Sequence, residues 1–140
     1  MKTFRFLTLT LVACALGSIS ALAEARSKPA KPEHIAHGAK VDISAYLVPG
    51  KTTVFDFTSQ YCPPCRAVAP LLEKLHETRD DIVVVKVDIN RPTFKGIDWS
   101  SPVAKQYNLG SVPHFKVYGP DGKLVAEGKP ASKLVYGWLE

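Results

Sequence analysis

Two cysteines separated by two prolines form the pattern in this sequence that is best suited to chemistry. Cys62 and Cys65 enclose Pro63 and Pro64, with a strand-like segment before the pair and a helix-like segment after it. The partial positive charge and free N–H groups at a helix start favour the thiolate of a cysteine there. A second cysteine one turn later can displace a partner from a mixed disulfide. The pattern predicts a dithiol–disulfide cycle in which Cys62 attacks and Cys65 releases the product.

Two other uses of a cysteine pair fit the sequence less well. A zinc site needs four ligands, and this pair supplies two, with no second CxxC in the chain. His34 and His37 are accompanied by no other ligand cluster, so we expect them to be linker histidines. A purely structural disulfide usually joins distant segments. We therefore expect no metal site, and no cofactor besides the redox-active disulfide.

The elements that must position the cysteines are a strand, a helix and a second strand. Residues 52–57 are β-branched and aromatic, as in a buried strand. Apolar residues then recur at helical spacing to about His76, and Pro70 should kink this helix because it lacks an N–H group. The nearly continuous apolar run at 82–87 indicates a strand covered on both faces. This order predicts a parallel strand–helix–strand crossover.

The rest of the chain continues the α/β pattern. A loop over 90–101 and a short helix over 102–107 precede an alternating strand at 114–118. A Gly-Pro-Asp-Gly turn then returns the chain as an antiparallel strand at 123–127. The last predicted helix spans 132–139. We expect it to bury its apolar residues, which are Leu134, Val135, Trp138 and Leu139.

The first 23 residues have the order of a secretory signal peptide. Lys2 and Arg5 precede a short apolar run that ends near the small residues of Ala21-Leu22-Ala23. The run is too short and too interrupted for a membrane span. We therefore expect a periplasmic or otherwise exported protein. An alternative stays open, because Leu11-Val12-Ala13-Cys14 resembles a lipobox and lipidation of Cys14 would anchor the protein to a membrane.

The length and composition indicate one globular domain. The sequence has 140 residues, of which 46% are apolar and 22% charged. Residues 24–40 are rich in proline and lysine and predict a flexible lead-in to a domain over 41–140. The formal net charge is +5, but basic and acidic residues are interspersed without a basic block. We therefore expect no binding of nucleic acid. We also expect the protein to be a monomer.

A set of short motifs follows in a fixed order along residues 41–140. They are Phe55-Asp56-Phe57, Tyr61-Cys62-Pro63-Pro64-Cys65-Arg66, Pro70, Lys86-Val87-Asp88, Ser111-Val112-Pro113 and Gly128. Their order and spacing resemble the thioredoxin family, most closely its periplasmic thioredoxin-like branch. The resemblance implies an α/β, thioredoxin-like fold with a central mixed sheet and helices on both faces.

The resemblance also implies roles for residues around the cysteines. Asp56 matches a buried carboxylate that could take the proton of Cys65, and Lys86 matches its partner across the sheet. Pro113 matches a proline that follows a cis peptide bond, beside which Val112 could pair with an extended substrate. Without the resemblance, Asp56 could be a solvated acid at a strand end and Pro113 an ordinary loop proline. The implied substrate contacts are Tyr61, Pro63, Pro64, Val112 and Pro113.

The sequence departs from the family pattern at three places. Thr58 and Tyr61 stand where the family commonly has tryptophan, so an aromatic rim is kept at Tyr61 and bulk is lost at Thr58. The loop over 90–101 is longer than in the shortest members. We expect Trp99 in this loop to plug it onto the core, with contact to a partner as the alternative.

The two prolines between the cysteines bear on the direction of electron flow. Neither has an N–H group that could stabilise the Cys62 thiolate. A less stabilised thiolate makes a dithiol a weaker oxidant. We therefore expect an exported reductase of protein disulfides, with protein thiols and disulfides as substrates and a membrane thiol protein as electron donor. The alternatives are a disulfide-forming oxidase and a non-catalytic binding module.

Overall fold

The computed structural model describes residues 25–140, so the predicted signal peptide and Cys14 lie outside the described residues. The elements are β1 (Glu33–Ile35), a 3-10 helix (Ile43–Tyr46), β2 (Thr52–Thr58), α1 (Pro63–Thr78), β3 (Ile82–Asp88), α2 (Pro102–Gln106), β4 (His114–Tyr118), β5 (Leu124–Glu127) and α3 (Lys129–Leu139). Over residues 25–140, no helix is long and apolar enough to cross a membrane.

The strands form one mixed sheet in the order β1-β3-β2-β4-β5. β1, β3 and β2 run parallel, whereas β4 and β5 are antiparallel to their neighbours. The predicted parallel crossover from β2 through α1 to β3 is confirmed. Because parallel strands end at the same edge, the segments that follow β2 and β3 lie at one edge of the sheet.

Both faces of the sheet are covered by apolar packing, which explains the continuous apolar run of β3. On one face Val54 and Val84 pack against α1 and α3 through Leu72 and Val135. The opposite face is formed by alternate residues of the same strands, and it packs against the 3-10 helix and α2. Its buried apolar residues include Ile43, Phe55, Phe57, Val83, Val85, Val87 and Val103. The predicted mixed sheet with helices on both faces is therefore confirmed.

The predicted flexible lead-in over 24–40 is wrong where β1 forms, because this segment supplies an edge strand. β1 pairs in parallel with β3, and Ile35 is only 7% exposed. The preceding residues are held to the end of α1, where Lys28 donates hydrogen bonds to main-chain carbonyls and the buried His76 ring lies 2.9 Å from Pro29 O. The folded unit therefore begins before the predicted boundary at residue 41.

One other expectation about packing is wrong in part, and a second is wrong. α3 begins at Lys129, and of its four apolar residues expected to be buried, Val135 is buried, Trp138 and Leu139 are partly buried against the same core, and Leu134 is 38% exposed. Ala131, one turn before Val135, is also buried. Trp99 is 42% exposed and does not plug the 90–101 loop onto the core. A buried carboxylate holds this loop instead, because Asp98 accepts hydrogen bonds from the side chain and backbone N–H of Arg91.

Candidate active site

The cysteine pair lies where β2 leads into α1. Cys62 caps the helix N-terminus, and its Sγ accepts a hydrogen bond of 3.2 Å from the backbone N–H of Cys65. The two cysteines form a disulfide, with their Cα atoms 5.3 Å apart. Pro63 and Pro64 occupy the first helical positions, where a missing N–H costs no intrahelical hydrogen bond. The local sequence therefore starts the helix and places both sulfurs at its positive end.

The disulfide is buried, whereas the residues next to it are exposed to solvent. Cys62 and Cys65 are 2% and 1% exposed, whereas Tyr61 is 37% exposed and both prolines are exposed. Tyr61, Pro63 and Pro64 are therefore exposed residues next to the sulfurs in sequence. Their role as substrate contacts stays a prediction.

A second segment approaches the pair from the loop before β4. The Val112–Pro113 peptide bond is cis, and Val112 O lies 3.5 Å from Cys62 Sγ. Both residues are half-buried. The structure thus brings Val112 and Pro113 to the reactive sulfur, as the family resemblance implies, and leaves a backbone carbonyl beside it.

Asp56 lies behind the cysteines in the middle of β2. Its side chain is buried, and burial raises its pKa to about 7, against the opposing effect of Lys86. Neither carboxylate oxygen has a hydrogen-bond partner among residues 25–140. A cavity of about 180 Å³ is lined by both Asp56 and Cys65. A group with this pKa can accept and return a proton near neutral pH.

Lys86 is the residue opposite Asp56 on β3, and its side chain is 6% exposed. Its ammonium does not donate to Asp56. It forms an ion pair with Glu73 of α1, in which Nζ lies 2.5 Å from Glu73 Oε1. The structure therefore places Lys86 beside Asp56 on the sheet but assigns its hydrogen bond to a helix residue.

The sequence analysis missed Glu73, although the helical pattern contains a signal for it. Cys65, Ala69 and Glu73 are four residues apart and lie on the same face of α1. Cys65 and Ala69 both line the cavity at Asp56. A polar residue in this stripe could have been predicted to face the site.

A hydrogen-bonded pair of side chains that the sequence analysis also missed connects the turn before Cys62 to the long loop after β3. Ser59 Oγ donates to Asn90 Oδ1 at 2.5 Å and accepts a hydrogen bond from the backbone N–H of Tyr61. Asn90 in turn donates to Gly96 O at 2.6 Å. Ser59 and Asn90 are both buried, so this polar link fixes the turn before Cys62 against the loop.

Of the two candidate histidines, His34 lines the cavity that Cys65 and Asp56 also line, and His37 does not. His34 is in β1 opposite Lys86, and His37 Nδ1 lies 3.6 Å from Asp88 Oδ2. In the part of the chain that the structure describes, no three His, Cys, Asp or Glu side chains are grouped for metal binding.

A cysteine pair at the positive end of a helix, with a buried carboxyl lining a cavity together with one of the cysteines, suits dithiol–disulfide exchange. The thioredoxin family model matches residues 42–135, which is more than half of the sequence. The chain belongs to the thioredoxin family.

Individual relatives agree with this assignment. Chloroplastic thioredoxin F1 of Arabidopsis thaliana is 36% identical over 77 residues, which cover 55% of this chain and 39% of that protein. The match therefore spans about two fifths of the length of that relative. The crystal structure of thioredoxin f from spinach chloroplast, short form, superposes with a TM-score of 0.55 at 28% identity, covering 81% of this chain and 95% of that one.

A complex is also among the similar structures. Thioredoxin f2, solved with ferredoxin:thioredoxin reductase, has a TM-score of 0.52 and 26% identity, covering 77% of this chain and 92% of the other. These similarities show the family and the fold. The periplasmic branch stays a prediction.

Proposed function

We propose that this protein is an exported thiol–disulfide oxidoreductase that reduces disulfides in other proteins. The observation that carries the proposal is the Cys62–Cys65 disulfide at the start of α1, with the Cys65 N–H donating to Cys62 Sγ. This geometry supports Cys62 as the attacking cysteine, whose thiolate the helix end stabilises, and Cys65 as the resolving cysteine.

The proposed reaction proceeds in two exchanges from the reduced protein. The Cys62 thiolate attacks one sulfur of a substrate disulfide, the substrate S–S bond breaks, and one substrate thiolate leaves. Cys65 then loses its proton, and its thiolate attacks Cys62 Sγ in the mixed disulfide. The second substrate thiolate leaves, so the substrate gains two electrons and the protein returns to the Cys62–Cys65 disulfide.

Asp56 is the proposed proton acceptor for Cys65. Burial gives the carboxyl a pKa of about 7, so at neutral pH a useful fraction is ionised and can take a proton. The cavity that both side chains line offers the route for this transfer, with space for a bridging water. Asp56 would return the proton to the departing substrate thiolate or to solvent.

The prolines support reduction over oxidation. Cys65 supplies the backbone donor to Cys62 Sγ in the first turn, because Pro63 and Pro64 have no N–H to add. With fewer donors the Cys62 thiolate is less stabilised. The reduction potential of the cysteine pair should therefore lie nearer to about −270 mV, the value of reducing proteins of this type, than to about −120 mV, the value of strongly oxidising ones. Equilibration with a thiol buffer of known potential measures this directly. A value near the oxidising end would assign the protein to disulfide formation instead.

Export and the electron donor form the least direct part of the proposal. The basic head, short apolar run and small residues of 1–23 support secretion, and an exported reductase needs a donor that carries electrons across the membrane. The structure of a thioredoxin f2 with its reductase supports docking of a donor protein on this fold. Cell fractionation, with mass spectrometry of the mature N-terminus, distinguishes cleavage near Ala23 from lipidation of Cys14.

Insulin reduction tests the activity itself. The wild-type protein should accelerate reduction of the insulin disulfides by dithiothreitol, and Cys62→Ser should not. Equal rates for both proteins would remove the enzymatic proposal. Thr78→Ser, at the exposed end of α1, is a control for a small change away from the disulfide, because serine keeps the hydroxyl that donates to Lys74 O.

A further inference from the structure

A row of titratable side chains crosses the sheet beside the disulfide, and one of them is hydrogen-bonded to α1. Asp56 of β2 lies opposite Lys86 of β3, and Lys86 lies opposite His34 of β1. Asp56 and Lys86 are both buried. Two buried opposite charges on neighbouring strands would ordinarily pair, because an unpaired buried charge is costly.

The observed hydrogen bonds break this expectation. Lys86 Nζ lies 2.5 Å from Glu73 Oε1, and within residues 25–140 both oxygens of Asp56 lack a donor. Glu73 is half-exposed, with 51% of its side-chain area accessible, so its charge is stabilised by solvent as well as by Lys86. The lysine is therefore drawn toward the helix and the solvent, and the buried carboxyl is left with its desolvation cost.

We propose that Glu73 is a positioning residue that holds the Lys86 ammonium on the α1 side of the site, so that Asp56 stays free of an ionic partner and can exchange a proton with Cys65. This inference rests on the proposed function, because it assigns a purpose to the free carboxyl. Glu73 itself does not touch the sulfurs. It acts through Lys86.

The other groups around Asp56 are compatible with this role. Arg66 of α1, Asp88 of β3 and His34 of β1 line the same cavity. Burial, and then Lys86, lower the pKa of His34. β4 presents the apolar Phe115 opposite Asp56. Lys31, from the segment before β1, adds a positive charge near Glu73.

The arrangement predicts the direction of change when Glu73 loses its charge. Without an anion on the helix, the Lys86 ammonium is free to turn to Asp56, its neighbour across the sheet, on whose pKa it already acts. A cation that pairs with an aspartate lowers the pKa of that aspartate by about one unit or more. Glu73→Gln should therefore lower the pKa of Asp56 from about 7 by about one unit.

The test is a titration of Asp56 by carbon-13 NMR of aspartate-labelled protein in the disulfide form, with Asp56→Asn identifying the signal. Glu77→Gln is the matched control, because it removes the same charge one turn further along α1. Glu73→Gln should lower the pKa of Asp56 by about one unit, which moves the titration midpoint to an about tenfold higher proton concentration, and Glu77→Gln should leave the midpoint in place. An unchanged midpoint in Glu73→Gln would overturn the proposal.

A double-mutant cycle shows whether Glu73 acts through Lys86 or by its own charge. In a Lys86→Met background, Glu73→Gln should no longer move the Asp56 midpoint. The same lowering in both backgrounds would mean a direct charge effect and would overturn the positioning role. Because this titration needs no substrate, a protein that shows the coupling but fails to reduce insulin would contradict the proposed function and not this inference.

Discussion

Replacing Asp56 with asparagine removes a buried ionisable group while keeping its size. In the folded protein the carboxyl is buried and its pKa is about 7, whereas the ordinary value is 3.8. The folded state therefore keeps a proton that the unfolded chain releases. The stability that this proton supports is fully present below about pH 4 and is lost as the pH rises through 7.

The size of the effect follows from the difference between the two pKa values. At about 1.36 kcal/mol per pKa unit, the difference corresponds to about 4 kcal/mol of unfolding free energy above pH 7. The asparagine in Asp56→Asn is uncharged at every pH, so the variant does not lose this unfolding free energy. We therefore expect the variant to be more stable than the wild-type protein by about 4 kcal/mol at pH 8.5, and the two to converge near pH 4.

Urea unfolding of the disulfide form at pH 4, 6 and 8.5 measures the difference. With a slope of about 2 kcal/mol per molar urea, the midpoint of Asp56→Asn should lie about 2 M higher at pH 8.5. Asp80→Asn, at an exposed position after α1, is the control and should follow the wild-type curve.

A stability gain that is the same at all three pH values would refute the reasoning, because it would come from packing and not from the titration of Asp56. A loss of stability at pH 8.5 would show that the folded protein stabilises the ionised carboxylate, contrary to its observed lack of hydrogen-bond donors over residues 25–140.

Three further predictions follow from other parts of the structure. Pro64→Ala adds an N–H at the second helical position, where it can donate to the Cys62 thiolate. One hydrogen bond to a charged acceptor is worth about 1.5–3 kcal/mol, so the reduction potential of the cysteine pair should rise by about 30–60 mV. Equilibration with glutathione measures this potential, and a lower potential than that of the wild-type protein would contradict the prediction. Burial lowers the pKa of His76 below 6.5. In the Asp56→Asn background, urea unfolding should therefore show stability falling as the pH drops below about 6.5, and His76→Gln should flatten that slope. Ile35→Ala should cost about 2–3 kcal/mol in urea unfolding because β1 belongs to the sheet, whereas no loss would show β1 to be dispensable.

The sequence was sufficient to predict the strands and the helix whose apolar residues recur at regular short spacing. β2 and β3 are long apolar strands, and α1 combines helical spacing with prolines at its first positions. The cysteine pair could be placed at a helix start because the strand before it and the helix after it were both evident. Their order then defined the crossover and the edge of the sheet that carries the site.

β1 escaped prediction because its stability comes from a distant partner. The strand has three residues, one of them buried, and so shows no alternation. Its hydrogen bonds go to β3, about fifty residues further along the chain. Proline and lysine nearby suggested flexibility, but Pro29 and Lys28 contact the end of α1. Composition alone does not reveal such tertiary anchors.

The charge arrangement behind the disulfide was predictable only in part. The family resemblance indicated a carboxyl at Asp56 and a cation at Lys86, and the register confirms that they are neighbours on the sheet. The choice of Glu73 as hydrogen-bond partner depends on how α1 packs over β3. Trp99 illustrates the same limit, since the Arg91–Asp98 ion pair orders its loop and leaves the indole exposed.

Trapping of the mixed disulfide tests the central claim, that Cys62 is the attacking cysteine. Reduced Cys65→Ser and Cys62→Ser proteins are each mixed with a disulfide-containing protein such as insulin, quenched with acid, and analysed by mass spectrometry after proteolysis. Cys65→Ser should accumulate a stable adduct on Cys62, because the resolving thiol is missing. Cys62→Ser should accumulate little, since Cys65 lies a turn inside the helix and does not have the helix-capping position that favours the thiolate of Cys62. Equal or greater adduct on Cys65 in the Cys62→Ser protein would contradict the account.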